Sequence, residues 1–135
     1  MDYTITFDGG AKNNGTSDAQ GYGSYQIKTR TGREVVERLE LGPGVTSSEA
    51  EYHALIGGLV DLLERIQAHN RSAADFTLAV TGDSQLVLNQ VQGAWQCKAE
   101  NLRPLRDHAQ QLATCFKEVE WTWKGRDHNV EVLGH

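Results

Sequence analysis

The stretch MDYTITFDGG, residues 1–10, decides the fold of this chain. Tyr3, Ile5 and Phe7 alternate with polar residues as far as Asp8, and this period of two is typical of a β-strand with one face in the core. Two glycines follow at once, and glycine permits turns and lets a ligand approach the backbone closely. The stretch therefore predicts a half-buried strand with a carboxylate at its open end.

A second carboxylate falls on the inner face of a predicted helix. The segment TSSE has the form of a capping box, with Thr46 as the N-cap and Glu49 reaching back to it. The helix is expected to run to about His69, and at about 100° per residue Glu51 lies within roughly 40° of the centre of its apolar stripe. The alternative is that Ser48 caps the helix and Glu51 completes the box. An acid that faces a sheet needs a partner.

A third carboxylate, Asp83, closes the mostly apolar run FTLAVTGD, residues 76–83. This run predicts a central strand, and SQLVLNQV, residues 84–91, predicts a short helix after it. Taken alone, Asp83 would be expected to be the N-cap of that helix. Its convergence with Asp8 and Glu51 instead favours a metal site made of three carboxylates.

In these motifs the chain resembles ribonuclease H, type 1, the family of nucleases that cut the RNA strand of an RNA/DNA hybrid. The resemblance covers nearly the whole chain and rests on motifs in the order of the family: FDGG (7–10) with NG (14–15), TSSEAEY (46–52) with AL (54–55), GDSQLV (82–87) and WTW (121–123). It implies an α/β fold with a five-stranded mixed sheet flanked by α-helices. It also implies catalytic and metal-binding roles for Asp8, Glu51 and Asp83.

The other segments are consistent with that architecture and predict the element order βββαβααβ. Two strands are expected at residues 22–28 and 33–41, a helix at 101–116 with Pro104 in its first turn, and a last strand around Trp121. Three strands in a meander followed by helix-linked strands predict a mixed sheet with helices packed on its faces.

Clustered acids suit hydrolysis of a phosphodiester. Two divalent ions about 4 Å apart activate an attacking water and stabilise the leaving oxygen of an in-line displacement, and hard oxygen ligands hold such ions. We therefore expect Mg²⁺ as the cofactor, with two ions in the substrate complex and Mn²⁺ as a substitute.

The fourth active-site residue of the family has no clear counterpart. Smaller members read Arg-x-x-Asn-x-x-Ala-Asp, whereas this chain reads RDHNVEVLGH from Arg126, which puts Leu133 at the Asp position unless two residues are inserted. With the insertion, His135 takes that position as a metal ligand or proton shuttle. Glu131 is the fallback, and a frayed terminus with neither role is the alternative. His128 falls in a predicted polar loop, where longer members carry a proton-handling histidine.

A nuclease that separates RNA from DNA must recognise the 2′-hydroxyl, which both donates and accepts hydrogen bonds. The resemblance places such contacts near Gly9, Gly10, Asn14, Ser47 and Gln85. Thr46 matches a phosphate contact on the DNA strand, and the same residue is the predicted N-cap.

Composition limits how this chain binds nucleic acid. It has 13 Lys+Arg against 18 Asp+Glu and a formal net charge of −5, the wrong sign for binding by bulk electrostatics. We therefore expect modest, salt-sensitive affinity for an RNA/DNA hybrid, from local contacts.

Length and cysteine usage predict the rest of the organisation. The 135 residues suit one domain, 1–135, and truncation at the last helix is one interpretation of its ending. Two cysteines without metal-like spacing, with no signal peptide and no membrane-length apolar run, predict a cytoplasmic protein. We also expect a monomer with no membrane partner.

Two other classes of function remain open. One is a non-catalytic, hybrid-binding module that lost the fourth ligand, and metal-dependent cleavage would separate it from an enzyme. The other is a nuclease of the same fold that acts on DNA or structured RNA, which a panel of duplexes would reveal, because fold alone does not define substrate.

Overall fold

A mixed sheet of five strands organises the computed structural model, which describes residues 1–13 and 18–134. The strands are β1 (Tyr3–Lys12), β2 (Gln20–Thr29), β3 (Glu34–Pro43), β4 (Thr77–Gly82) and β5 (Glu118–Trp123). Their order across the sheet is β3-β2-β1-β4-β5. The β1–β2 and β2–β3 pairs are antiparallel, and the β1–β4 and β4–β5 pairs are parallel. The prediction of a five-stranded mixed sheet is confirmed.

Helices flank this sheet. They are α1 (Ser47–Ala68), α2 (Gln85–Gln92), α3 (Arg103–Ala113) and α4 (Arg126–Leu133), with a 3₁₀ turn at Ala73–Asp75. Helix α1 packs against β1, β2 and α3, whereas α4 contacts β1 and β2. In the part of the chain that the structure describes, no helix is long and apolar enough to cross a bilayer.

The core lies between the sheet and α1. Ile5 and Phe7 of β1 belong to the same hydrophobic cluster as Leu55 and Leu59 of α1, and all four side chains are buried. Burying a side chain of this size contributes about 2 kcal/mol each. The apolar residues whose alternation predicted β1 are therefore also those that pack the strand against α1.

The sequence predicted that β1 ends at Asp8, but the strand continues to Lys12. Its parallel pairing with β4 stops at Phe7 opposite Gly82, but its antiparallel pairing with β2 continues to Lys12 opposite Gln20. Asp8 is thus the first residue of β1 beyond the end of β4. The carboxylate still lies at an opening in the sheet, because only one of its two neighbouring strands continues.

The predicted start of α1 is confirmed in detail. The Thr46 hydroxyl accepts a hydrogen bond from the Glu49 backbone N–H at 3.2 Å, and the Glu49 carboxylate accepts one from the Thr46 N–H at 3.0 Å. The alternative box made by Ser48 and Glu51 is wrong. Glu51 is therefore not needed to cap the helix.

The structure has a helix after β5, α4, which the predicted element order βββαβααβ did not include. It starts after Gly125 without a side-chain cap, so the usual polar start signal is missing. It places His128 in a helix and not in the predicted loop. The helix is attached to the sheet by the buried Asn129, whose Nδ2 donates to the Phe7 carbonyl at 3.0 Å.

Candidate active site

Asp8, Glu51 and Asp83 line one open cavity of about 510 Å³. They come from three elements that are distant in sequence: the middle of β1, the first turns of α1 and the end of β4. The convergence that the sequence predicted is therefore present. All three side chains are half-buried, so each is partly shielded from water and still reachable from the cavity.

Gly9 is the residue that brings α1 against β1. A Cβ atom at this position would lie 2.5 Å from both the Ala50 carbonyl carbon and the Glu51 nitrogen. Any side chain would push the helix away, so the glycine is required by helix packing and not by a turn. The close approach brings Glu51 to the cavity that Asp8 lines.

Strand β5 holds the backbone around Asp83. The Trp123 indole N–H donates to the Asp83 carbonyl at 3.0 Å, and the Lys124 N–H donates to the Gly82 carbonyl at 2.8 Å. The N-cap of α2 is Ser84, whose hydroxyl accepts from the Val87 N–H at 3.2 Å. The Asp83 carboxylate is therefore not used as a cap and remains available to the cavity.

Burial and nearby charge raise the pKa values of Asp8 and Glu51. Burial, reinforced by the charge of Asp83, raises the pKa of Asp8 to about 6, while the Gly9 N–H and the charge of Arg126 oppose the change. Burial raises the pKa of Glu51 to about 7, with a hydrogen bond from Ser84 opposing and the charges of the two aspartates adding. Shifts of this kind, caused by desolvation and like charge, cluster at functional sites.

The acids alone do not make a closed metal cage. Among the described residues, no three Asp, Glu, His or Cys side chains are arranged as a ready-made metal site. They nevertheless provide three hard oxygen donors at the edge of one open cavity, where a cation would relieve their repulsion. Mg²⁺ commonly takes only one or two protein carboxylates and completes its shell with water and substrate phosphate. The three carboxylates therefore fit a divalent ion that is held jointly by the protein, water and substrate phosphate.

The predicted substrate contacts lie around the same cavity in four of six cases. Its lining includes Gly9, Gly10, Ser47 and Gln85. Thr46 is not part of the lining, and its hydroxyl caps α1. Asn14 lies outside the described residues.

The two predictions for a fourth active-site residue have different outcomes. Glu131 is exposed on α4 and is not part of the cavity lining. His135, like Asn14, falls outside the described residues, so its role stays a prediction. Leu133 is buried, with 2% of its surface exposed, and its carbonyl accepts a hydrogen bond from Arg38 at 3.0 Å.

Arg126 is the main residue that sequence reasoning missed. It begins α4 and lines the cavity beside the acids, where its charge offsets a small part of the rise in the pKa of Asp8. In the sequence, Arg126 stands out only as the first residue of the motif RDHNVEVLGH. A basic residue at the start of a helix directly after the last strand was the signal available. Tyr22, which lies opposite Gly10 in the sheet, also lines the cavity and could be found only from strand register.

The sequence of this chain matches a known protein family. The family model described as reverse transcriptase-like matches residues 7–132. A bifunctional protein of Mycobacterium tuberculosis is 30% identical over 96% of this chain and 33% of its own length. A ribonuclease HI of Halobacterium salinarum is 33% identical over 91% of this chain and 56% of its own length. The chain thus spans between a third and about half of these curated relatives.

Solved structures have the same fold over almost the whole chain. The crystal structure of RNase H1 from Halobacterium salinarum has a TM-score of 0.77 and 27% identity, covering 97% of this chain and 92% of that one. The N-terminal RNase H domain of the mycobacterial protein has a TM-score of 0.78 and 27% identity, covering 97% and 94%. LC11-RNase H1 in complex with an RNA/DNA hybrid has a TM-score of 0.82 at 23% identity, covering 96% and 89%, and shows the fold alone.

Proposed function

Because this chain belongs to the reverse transcriptase-like family and is a compact protein of the ribonuclease HI type, we propose that it is a metal-dependent endonuclease. Its proposed reaction is hydrolysis of the RNA strand of RNA/DNA hybrids. The observation that carries the proposal is the convergence of Asp8, Glu51 and Asp83 on one open cavity. The name of the archaeal relative and the hybrid in the LC11 complex support the substrate class.

Asp8, Glu51 and Asp83 are the proposed ligands of Mg²⁺ or Mn²⁺, with two ions in the substrate complex. When bound, such ions supply an activated water and charge for the leaving oxygen. The chain itself holds the three carboxylates on separate rigid elements, so that they stay close despite their repulsion. Because the pKa values of Asp8 and Glu51 lie at about 6 and about 7 without metal, ligation would displace protons from these groups.

Arg126 is the proposed contact for a phosphate of the RNA strand. Its guanidinium lines the same cavity as the acids and is the basic group there among the described residues. A planar guanidinium can donate two parallel hydrogen bonds to phosphate oxygens. It would offset part of the repulsion between the substrate and a chain of net charge −5.

The 2′-hydroxyl is the proposed basis of hybrid specificity. Gly9 and Gly10 present backbone to the cavity, while Ser47 and Gln85 present a hydroxyl and an amide that can donate and accept. Duplex DNA would leave such groups without their partner. Asn14 and His135 keep their predicted roles in this proposal, as a substrate contact and as a fourth active-site residue.

The test is cleavage of an end-labelled RNA/DNA hybrid with Mg²⁺, with Mn²⁺ and with a chelator, next to DNA and RNA duplexes of the same sequence. We expect cutting of the RNA strand of the hybrid that needs metal and disappears in Asp8→Asn. Hybrid binding without cutting would favour the non-catalytic module instead. Cutting of the DNA or RNA duplex at the same rate would favour a nuclease of different specificity.

A further inference from the structure

A second groove, of about 590 Å³, lies at the opposite end of β1 from the acidic cavity. It is bordered by the start of β1, the turn between β2 and β3, the second half of α1 and the segment before β4. Tyr3 lies in this groove, and the six residues from Tyr3 to Asp8 span roughly 17 Å of strand. The described residues that line the two cavities form separate sets. The groove is therefore not an extension of the candidate active site.

Apolar side chains make up the interior of this groove. Ile27, Leu62 and Ile66 are buried members of the core that contribute to its lining. Tyr3 and Phe76 stand beside them as an edge-to-face pair, with ring centroids 5.3 Å apart. Such a lining gains free energy by excluding water from a large apolar group.

Arginines surround that interior, and we call the whole feature the arginine-rimmed groove. Its four arginines, all exposed, are Arg30, Arg33, Arg65 and Arg71. Arg65 is paired with Asp61 at 2.7 Å, whereas no described carboxylate lies within ion-pair distance of the other three. The Arg71 guanidinium instead lies 5.2 Å from the centroid of the Phe76 ring.

The charge of the arginine-rimmed groove is opposite to that of the chain. Its lining holds four arginines and a single carboxylate, Asp2, in a chain of net charge −5. The Asp2 carboxylate already accepts hydrogen bonds from the Thr77 N–H at 2.9 Å and from the Thr77 hydroxyl at 3.0 Å. Arg30 attracts the Asp2 carboxylate and Arg65 is paired with Asp61, but the rim still carries positive charge that is available to an external anion.

We propose that the arginine-rimmed groove binds a peptide segment of a partner protein in which acidic side chains flank a large apolar one. The apolar side chain occupies the interior, and the carboxylates pair with Arg30, Arg33 and Arg71 at the rim. Guanidinium groups form strong, geometrically defined pairs with carboxylates. The volume of about 590 Å³ lies within the range of specific binding clefts.

A nucleic acid strand fits the same groove less well. Bases need partners for their polar edges, but the Thr29 and Thr31 hydroxyls are hydrogen-bonded to each other at 3.0 Å. The His69 ring nitrogen Nδ1 is likewise engaged with the Arg65 carbonyl at 2.8 Å. Inside the rim formed by Asp2 and the arginines, the remaining lining is mostly apolar, which suits an aliphatic or aromatic side chain. A partner bound there would leave the acidic cavity open to substrate.

The test uses short fluorescein-labelled synthetic peptides in which one Leu, Phe or Trp stands among Asp and Glu residues, with binding followed by anisotropy. Two control peptides replace either the acids by their amides or the apolar residue by Ser, and a labelled oligothymidylate provides the nucleic acid comparison. We expect saturable binding of at least one acidic-apolar peptide that weakens as salt rises, because the rim pairs are exposed. Both control peptides should bind weakly or not at all.

Variants locate the binding on the protein. R33E/R71E is expected to weaken peptide binding by about tenfold, since two attractive rim contacts become repulsive. Lys28→Glu is the matched control, because Lys28 is exposed on β2 between two groove residues and is not part of the lining. Hybrid cleavage should be the same in all these proteins, which separates this proposal from the proposed enzyme activity.

Three results would overturn the proposal. One is that none of the acidic-apolar peptides binds the wild-type protein at low salt. Another is equal binding by R33E/R71E and Lys28→Glu, with circular dichroism showing that both are folded. The third is tighter binding of the oligothymidylate than of any peptide, with the same loss in R33E/R71E.

Discussion

Gly9 and Glu51 are in contact through their backbones, so close that a Cβ atom on Gly9 would lie 2.5 Å from the Glu51 nitrogen. This contact determines how near the first turns of α1 come to the middle of β1. Asp8 and Glu51 line the same cavity because of it. The distance between two proposed metal ligands thus depends on a residue without a side chain.

Gly9→Ala is therefore expected to damage both stability and activity. The added methyl group meets main-chain atoms that cannot rotate away, and overpacking of this kind costs about 2 kcal/mol. Urea unfolding would measure the stability loss, and hybrid cleavage at saturating metal would measure the activity loss. Gly125→Ala is the control for stability, because nothing lies within 4 Å of the added Cβ. Equal stability of the two variants would contradict the role given to Gly9.

Asp8→Asn is expected to stabilise the metal-free protein at pH 8. Since the pKa of Asp8 is raised from 3.8 to about 6, the folded state binds this proton more tightly than the unfolded chain. The free energy of unfolding therefore falls as pH rises through this window, and ionised Asp8 opposes folding above it. Because the carboxyl is only half-buried, we expect a gain of about 1 kcal/mol and not the full value of the shift.

Urea unfolding with a chelator present, at pH 8 and at pH 4, tests whether Asp8→Asn raises or lowers the free energy of unfolding. The difference between wild type and Asp8→Asn should shrink towards pH 4, where the carboxyl is largely protonated. Glu64→Gln removes an exposed charge from α1 and should change stability little at either pH. A loss of stability in Asp8→Asn at pH 8 would show that the carboxylate has a structural partner instead.

Asn129→Ala is expected to loosen α4 from the sheet. The Asn129 side chain, 1% exposed, joins this helix to the Phe7 carbonyl next to Asp8. Removing the side chain breaks this buried hydrogen bond, which costs about 1–3 kcal/mol. Hydrogen exchange of the α4 amides, with thermal unfolding, would reveal the change. Unchanged protection of these amides would mean that other contacts hold the helix.

Arg126→Ala is expected to weaken substrate binding more than it changes the fold. Loss of one phosphate contact should raise KM by about tenfold and reduce the salt dependence of hybrid binding. Arg126→Lys should recover part of the loss, since it restores the charge but not the paired donors. Unaltered salt dependence in Arg126→Ala would show that the guanidinium does not contact phosphate.

Local patterns were sufficient to predict much of the fold and the convergence of Asp8, Glu51 and Asp83 on one site. The alternation before Asp8, the capping box at Thr46 and the apolar stripe containing Glu51 are all short-range features, and each survives in the structure. The predictions that were wrong concern features that depend on contacts between distant segments. The continuation of β1 past Asp8 follows from its pairing with β2, which no pattern within β1 reveals.

The C-terminal region likewise depends on contacts between distant segments that local sequence does not reveal. Helix α4 lacks a side-chain cap, and its attachment relies on Asn129 reaching a carbonyl on β1. Its position at the cavity, and with it that of Arg126, could not be derived from local sequence. The arginine-rimmed groove is a stronger case, because its arginines stand at positions 30, 33, 65 and 71 and all become neighbours only when β2, β3 and α1 are packed.

The most direct test of the central claim is the single-turnover rate of RNA-strand cleavage in a hybrid with Mg²⁺, compared among wild type, Glu51→Gln and Glu64→Gln. Both substitutions remove one negative charge from α1, but only Glu51 lines the acidic cavity. We predict cleavage by wild type and Glu64→Gln at similar rates, with Glu51→Gln slower by about a hundredfold or more. Equal rates in the two variants would contradict a metal site made of Asp8, Glu51 and Asp83.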